Sequence, residues 1–101
     1  MKYQVLTTSR ALEDIRELLE YIQTSFAEPQ IASRMKESII DAIDSLSEFP
    51  LRNPISQDET LHQQGIRKMM VKNYYIIYHV VGENVIILRV LYNRREWQDL
   101  L

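Results

Sequence analysis

Apolar residues in the first half of the chain recur every three or four positions, which is the spacing of one face of an α-helix. The first stripe consists of Ala11, Ile15, Leu18, Ile22 and Phe26. The second consists of Ala32, Met35, Ile39, Ala42, Leu46 and Phe49, and is widened by Ile40 and Ile43. Ser9 can cap the first helix, while Pro29 suits a first helical turn and Pro50 cannot continue a helix. The pattern predicts two antiparallel helices joined by a short connection.

The second half of the chain changes to β-branched and aromatic runs. The segments "IRKMMVKN", "YYIIYHVV" and "VIILRVLY" are separated near Asn73 and at residues 82–84, where Gly82 favours a turn. They predict three strands in an antiparallel meander. Residues 2–8 predict a short first strand, residues 50–65 a surface loop with one extended segment, and the tail "RREWQDLL" a last helical turn.

The last strand is expected to be central in the sheet, because both of its faces are largely apolar. Alternation along a strand places one set of side chains together, namely Ile86, Leu88, Val90 and Tyr92. The opposite set is Val85, Ile87, Arg89 and Leu91. The predicted order is therefore β-α-α-β-β-β in a single α+β domain spanning residues 1–101. We expect the helix hairpin to cover one face of the sheet and the other face to carry polar groups from the second half of the chain.

Composition narrows the possible functions. The chain contains no cysteine, and its two histidines, His62 and His79, do not form a metal-binding motif. No glycine-rich phosphate loop is present, so we expect neither a metal nor a cofactor. The sequence lacks an apolar run of the roughly 18–20 residues needed to span a bilayer, and its N-terminus lacks the apolar stretch of a secretory signal. A cytoplasmic protein is therefore expected.

Charge is distributed unevenly along the chain. Residues 1–63 have a net charge of −5, whereas residues 64–101 have a net charge of +3. The basic residues of the second part are Arg67, Lys68, Lys72, Arg89, Arg94 and Arg95, and the tyrosines interleaved with them are Tyr74, Tyr75, Tyr78 and Tyr92. Cations beside aromatic rings suit RNA phosphates and bases, but they equally suit a protein-docking surface. A third interpretation is a positively charged strand edge that discourages aggregation.

Cleavage of RNA without a metal would impose specific requirements on this set. A fixed cation must stabilise the scissile phosphate, and Arg95 or Arg67 is the candidate. A proton donor or acceptor is also needed, and Tyr92 is the candidate. Because an ordinary tyrosine titrates near ~10, Tyr92 would need strong help from its surroundings.

With this element order established, "GIRKMMVKNYYIIYHV" and "VIILRVLYNRREWQDLL" resemble the second half of toxins of the RelE/ParE superfamily, from bacterial type II toxin–antitoxin systems. The helical segment "ALEDIRELLEYI" and its successor also resemble theirs. The resemblance implies a cognate antitoxin protein as a partner. It also implies one of two activities: ParE-like poisoning of DNA gyrase without nuclease activity, or RelE-like metal-independent cleavage of messenger RNA on the ribosome.

The resemblance favours the ParE-like activity. "ILRVLY" is similar to the ParE-type strand, in which a histidine commonly stands where this chain has Tyr92. RelE-like enzymes usually carry an arginine at the position of Tyr75. Other residues favour the RelE-like activity. Arg95 falls where RelE-like enzymes place a catalytic arginine, and Lys68 and Lys72 can take the place of the lysines on their sheet.

The remaining site predictions also follow from the resemblance. The target-contacting or RNA-contacting residues are Lys68, Lys72, Tyr75, Arg89 and Arg94. Trp97, Leu100 and Leu101 are expected to contact the antitoxin, although Trp97 would equally serve to close the core. A third functional hypothesis is a toxin-like fold that has no activity and acts only as a binding module.

Overall fold

A computed structural model describes residues 2–25 and 29–92 of the chain. Its strands are β1 (Gln4–Thr7), β2 (Arg67–Val71), β3 (Tyr74–Val81) and β4 (Asn84–Tyr92). Its helices are α1 (Ser9–Ser25), α2 (Pro29–Ser45) and the short α3 (Glu59–Gln63), and one 3₁₀ turn covers Pro50–Arg52. The predicted order β-α-α-β-β-β is confirmed. None of the described helices has the length and apolar character required to cross a membrane.

The four strands form one sheet in the order β1-β4-β3-β2. The predicted meander is confirmed, because β2, β3 and β4 pair antiparallel through the two-residue turns Lys72–Asn73 and Gly82–Glu83. β1 pairs with β4 in parallel, with Gln4 opposite Asn84 and Thr7 opposite Ile87. β4 therefore has a neighbour on each side, which confirms its central position.

Both long helices pack on one face of the sheet and form the main core. That core joins Ala11, Ile39, Ile43 and Leu46 of the helical region to Tyr74, Ile76, Tyr78, Val85, Ile87 and Val90 of the sheet. The predicted cap at Ser9 is displaced by one residue, because the helix begins at Ser9 itself. The hydroxyl oxygen of Thr8 accepts the backbone N–H of Ala11 at 3.1 Å and so caps the helix.

The end of α2 differs from the prediction. Ile40 is partly exposed, and Phe49 lies outside the core with 79% of its surface accessible. The helix stops at Ser45, so the periodicity no longer applies at residue 49, and Pro50 is the residue that becomes buried. Phe26, the last position of the first stripe, lies outside the described residues.

The segment 50–65 is more ordered than a plain loop. Asp58 caps α3 by accepting the backbone N–H of Leu61 at 3.1 Å, and Leu61 is buried. Leu61, Ile66, Tyr75, Ile77 and Leu91 form a second, smaller core on the sheet face opposite the long helices. The predicted extended segment exists as a single bridge between Ile55 and Arg67. A helix of five residues is too short to show a periodic pattern, which explains why α3 was missed.

A β-bulge changes the predicted faces of β4. Ile77 pairs with Arg89 and Tyr78 pairs with Ile87, so Leu88 is an extra residue opposite β3. The simple alternation from Ile86 to Tyr92 is therefore wrong. Val90 joins Ile87 in the main core, while Leu88 contacts the second core.

Candidate functional site

The sheet face opposite α1 and α2, here called the open face, carries a basic and aromatic pair at its β2 edge. The ammonium of Lys68 lies 4.4 Å from the centroid of the Tyr75 ring, within the range of a cation–π interaction. Met70 pairs with Tyr75 and therefore shares this face, where it is exposed. Lys68, Tyr75 and Met70 thus bring together a cation, an aromatic ring and an exposed apolar group.

Lys72 follows at the end of β2 in the turn to β3. Its φ of 55° is in the left-handed region that favours glycine, so its side chain is presented by a strained backbone. Lys68 and Lys72, both predicted target contacts, therefore lie at the same edge of the sheet. Their roles in binding stay predictions.

Arg67, by contrast, is directed to the loop after α2. It pairs with Tyr78 and so lies on the helix side of the sheet. Its guanidinium donates to the carbonyl oxygens of Leu51 at 3.3 Å and Asn53 at 2.5 Å. The expectation that it belongs to the open face is thus not met, because carbonyls of a helix-side loop bind it.

Tyr78 completes the attachment of this loop. Its hydroxyl donates to the carbonyl of Pro50 at 2.6 Å and accepts from the amide of Asn53 at 3.0 Å. Burial raises the pKa of Tyr78, and the hydrogen bond from Asn53 and the charge of Arg67 offset only part of that rise. Tyr78 therefore remains neutral and acts as an anchor for residues 50–53.

Arg89 is also engaged within the fold. Its Nε donates to Oδ2 of Asp14 at 2.7 Å and its Nη2 to Oδ1 at 3.0 Å, which is a bidentate pair. Oδ2 of Asp14 additionally accepts the backbone N–H of Val90 at 3.1 Å. The carboxylate raises the pKa of Arg89, so the guanidinium stays charged. The side chain of this predicted target contact is therefore directed to α1.

Asp14 is a structural residue that the sequence analysis did not single out. It is 7% exposed, and it is the one buried charged side chain within the described ranges. Its spacing from Ala11 and Leu18 places it on the apolar stripe of α1. A carboxylate on an apolar helix stripe indicates from the sequence alone that the side chain is buried and paired.

Tyr92, the predicted acid or base of a nuclease, ends β4 beside another tyrosine. The rings of Tyr74 and Tyr92 meet edge to face, with centroids 5.5 Å apart and planes at 78°. Burial raises the pKa of Tyr74, and the neighbouring phenols of Tyr92 and Tyr21 raise it further. Tyr92 pairs with Tyr74 at one end of β3, whereas Arg67 pairs with Tyr78 four residues along. The two predicted catalytic groups are thus separated by about 13 Å along the strands and two strand spacings across them, about 10 Å.

Five predicted site residues lie outside the described residues, namely Arg94, Arg95, Trp97, Leu100 and Leu101. Within the described ranges, no group of three or more His, Cys, Asp or Glu side chains is arranged to hold a metal ion.

Comparison with known proteins gives the class of the fold. The chromosomal ParDE toxin–antitoxin system from P. aeruginosa matches with a TM-score of 0.76 and 15% identity, over 92% of this chain and 98% of that chain. The toxin–antitoxin complex RelBE2 from Mycobacterium tuberculosis matches with a TM-score of 0.63 and 24% identity, over 91% of this chain and 99% of that chain. The fold is therefore that of the RelE/ParE superfamily.

The family follows from a second comparison. Residues 5–97 match the family model described as ParE toxin of type II toxin-antitoxin system, parDE. Curated proteins contain no match to the sequence. The match covers nearly the whole chain, and this protein belongs to the ParE toxin family. It is a toxin component of a type II toxin–antitoxin system.

Proposed function

We propose that this toxin arrests growth by binding DNA gyrase and poisoning it through a protein–protein contact, and that a cognate antitoxin neutralises it. Membership of the ParE family supports the first part of the proposal. The related folds from P. aeruginosa and M. tuberculosis are parts of toxin–antitoxin systems, which supports the second part.

The separation of Arg67 from Tyr92 argues against RNA cleavage by that pair and, together with the family membership, favours a protein target; Arg95 stays the alternative nuclease cation. A metal-free nuclease must place its cation and its acid or base around one phosphate. Here Arg67 donates to the carbonyls of Leu51 and Asn53, roughly 13 Å along the sheet from Tyr92. Arg67 would have to break those bonds and cross the sheet to serve the same phosphate as Tyr92.

We place the contact with gyrase on the open face at the β2 edge. Lys68, stacked on the buried ring of Tyr75, and the exposed side chain of Met70 give this edge a cation and an apolar group that can anchor a protein interface. Lys72 adds a second cation at the turn. The antitoxin contact through Trp97, Leu100 and Leu101 stays a prediction, as does cytoplasmic localisation.

A supercoiling assay with purified gyrase tests the proposal. The native toxin is expected to inhibit supercoiling and to accumulate cleaved DNA. Lys68→Glu should weaken both effects about tenfold or more, because it reverses a charge and removes the cation from the Tyr75 ring. Lys36→Glu, which reverses an exposed charge on α2, is the matched control. Normal supercoiling at saturating toxin would refute the proposal.

A parallel assay on translating ribosomes tests the nuclease hypothesis. Primer extension on ribosome-bound messenger RNA should show no toxin-dependent cuts. Cuts that disappear in Arg95→Ala would instead establish the RelE-like activity and would assign Arg95 its catalytic role.

A further inference from the structure

Phe49 has a backbone conformation that suits another residue. It lies four residues beyond Ser45, where α2 ends, and directly before the 3₁₀ turn, with φ 53° and ψ 51° in the left-handed region. Glycine or asparagine normally occupies such a position, since a side chain there is strained. Phe49 also precedes Pro50, and a residue before proline is normally extended. The turn between α2 and the 3₁₀ segment requires this conformation, but it does not explain the choice of phenylalanine.

The ring of Phe49 lies mostly outside the packed interior. It is 79% exposed, more than the other large apolar side chains of the described chain, and Leu51 beside it is also exposed. An exposed ring at a strained position lowers the stability of the isolated protein.

The loop that carries Phe49 is nevertheless held firmly. Arg52 donates to the carbonyl oxygens of Glu48 at 2.8 Å and Phe49 at 3.2 Å, and to the hydroxyl of Ser45 at 2.7 Å. The bonds of Arg67 and Tyr78 fix the carbonyls of residues 50, 51 and 53. Strain persists where the surroundings over-determine the backbone, and such positions concentrate at functional sites. Phe49 is thus pre-positioned, which lowers the entropy lost on binding.

Charge at the same end of α2 indicates the kind of partner. From residue 37 to residue 51 the chain has four carboxylates and no Lys or Arg, namely Glu37, Asp41, Asp44 and Glu48. These side chains are exposed, and the ion pairs found in the described residues do not include them. Carboxylates near a helix C-terminus are unfavourable because of the helix dipole. The guanidinium of Arg52 is the nearby cation, and it is directed to the carbonyls that end the helix.

We propose that Phe49, Leu51 and the acidic second half of α2 form a second docking surface, which binds a basic protein surface with an apolar pocket on the toxin's target. This inference rests on the proposed function, in which the target is a protein that holds DNA and therefore carries basic surfaces. The phenylalanine ring is the anchor, and the carboxylates guide the encounter and exclude nucleic acid. The surface lies at the C-terminal end of α2 and is separate from the Lys68 edge, which forms the other contact with the target.

Variants at this surface separate binding from folding. Phe49→Gly relieves the left-handed strain, so we expect the Tm to rise by about 4 °C. The same variant should raise the toxin concentration for half-inhibition of supercoiling roughly 30-fold, the loss expected when an interface anchor is removed. Asp44→Lys should also raise the Tm, because it places a cation near the helix C-terminus, yet it should weaken inhibition.

The controls lie toward the other end of the helix hairpin, about 18 Å away along the helix axes. Tyr21→Ala removes an exposed aromatic ring of α1, and Glu20→Lys makes the same charge change as Asp44→Lys. Both should inhibit gyrase like the native toxin. Growth arrest after induction in bacteria is a second readout, and it does not depend on the identity of the target. It is measured for the native toxin and for the four variants.

Each outcome decides the proposal. Higher stability with weaker inhibition and weaker growth arrest in Phe49→Gly supports it. Unchanged arrest overturns it, and so does a lower Tm, because the ring would then be structural. If the native toxin arrests growth while gyrase is unaffected, the proposed function fails and the comparison of growth arrest between Phe49→Gly and Tyr21→Ala still decides this inference. If the native protein does not arrest growth, both proposals fall.

Discussion

The buried carboxylate of Asp14 provides the sharpest test of how this fold is held together. β1 ends at Thr7, opposite Ile87, so among the described residues no strand pairs with β4 on that side from Leu88 onward. α1 takes over this edge: the backbone N–H of Thr8 donates to the carbonyl of Ile87 at 3.1 Å, and Asp14 accepts the backbone N–H of Val90. Asp14 therefore joins the first helix to the central strand beside its bulge.

Asp14→Ala removes the carboxylate that Arg89 and the backbone N–H of Val90 bind, along with its exposed ion pair to Arg10. The side chain of Arg89 is 12% exposed and would lose its bidentate counter-charge, while the buried N–H of Val90 would lose its acceptor. Removing one partner of a buried ion pair costs about 3–5 kcal/mol. An unsatisfied buried N–H accounts for about 1–3 kcal/mol by itself. Because Arg89 retains some contact with water, we expect a loss of roughly 3–4 kcal/mol, out of the about 5–15 kcal/mol typical of a domain.

Urea unfolding of Asp14→Ala, Asp14→Asn and the pair Asp14→Leu with Arg89→Leu measures these contributions. Asn keeps an acceptor for the N–H of Val90 but removes the charge, so its loss should be smaller than that of Ala. The double variant should recover most of the ion-pair cost and retain about 1–3 kcal/mol from the unpaired N–H. A loss below about 1 kcal/mol in Asp14→Ala would refute the interpretation.

Three further predictions concern the loop and turns. Folding raises the pKa of Tyr78, so the neutral phenol contributes fully to stability below the unfolded pKa of about 10, and this contribution is lost as the pH rises further. Urea unfolding at pH 8 and pH 10.5 should therefore show a smaller decrease in the free energy of unfolding for Tyr78→Phe than for the native protein. Arg67→Met should cost about 1–3 kcal/mol and make the segment 50–53 more susceptible to proteolysis, with Lys36→Met, at an exposed position of α2, unchanged as its control. Lys72→Gly should raise stability by up to about 1 kcal/mol by releasing the φ of 55°, whereas Gly82→Lys, at φ 60°, should lower it by a similar amount.

The element order was predictable because it depends on local periodicity. Ala32, Ile39 and Ile43 repeat at helical spacing, and all three are buried in α2. The β-branched and aromatic runs and the placement of Gly82 likewise indicated the meander and its turn. Phe49 shows the limit of this reasoning, because periodicity extrapolates past the end of a helix that only the surrounding loop determines.

The candidate site was less predictable than the fold. The sequence placed Lys68, Tyr75 and Lys72 among the basic and aromatic set, and the structure brings Lys68 and Tyr75 into contact. It also placed Arg67 and Arg89 in that set, although both are committed to internal acceptors. The sequence shows that a strand carries an arginine, but not what the arginine binds. The partner comes from a distant segment, Asn53 for Arg67 and Asp14 for Arg89.

Taken alone, the sequence determined the helices, the meander, the central position of the last strand and the resemblance to a toxin family, because each depends on patterns within about 20 residues. Only the tertiary structure decided that β1 pairs in parallel with β4, that a bulge at Leu88 exchanges the faces of that strand, and that Asp14 completes its edge. The parallel pairing and the Asp14 contacts join residues some 75–80 positions apart, and they exist because buried N–H groups and charges need partners once the chain is folded.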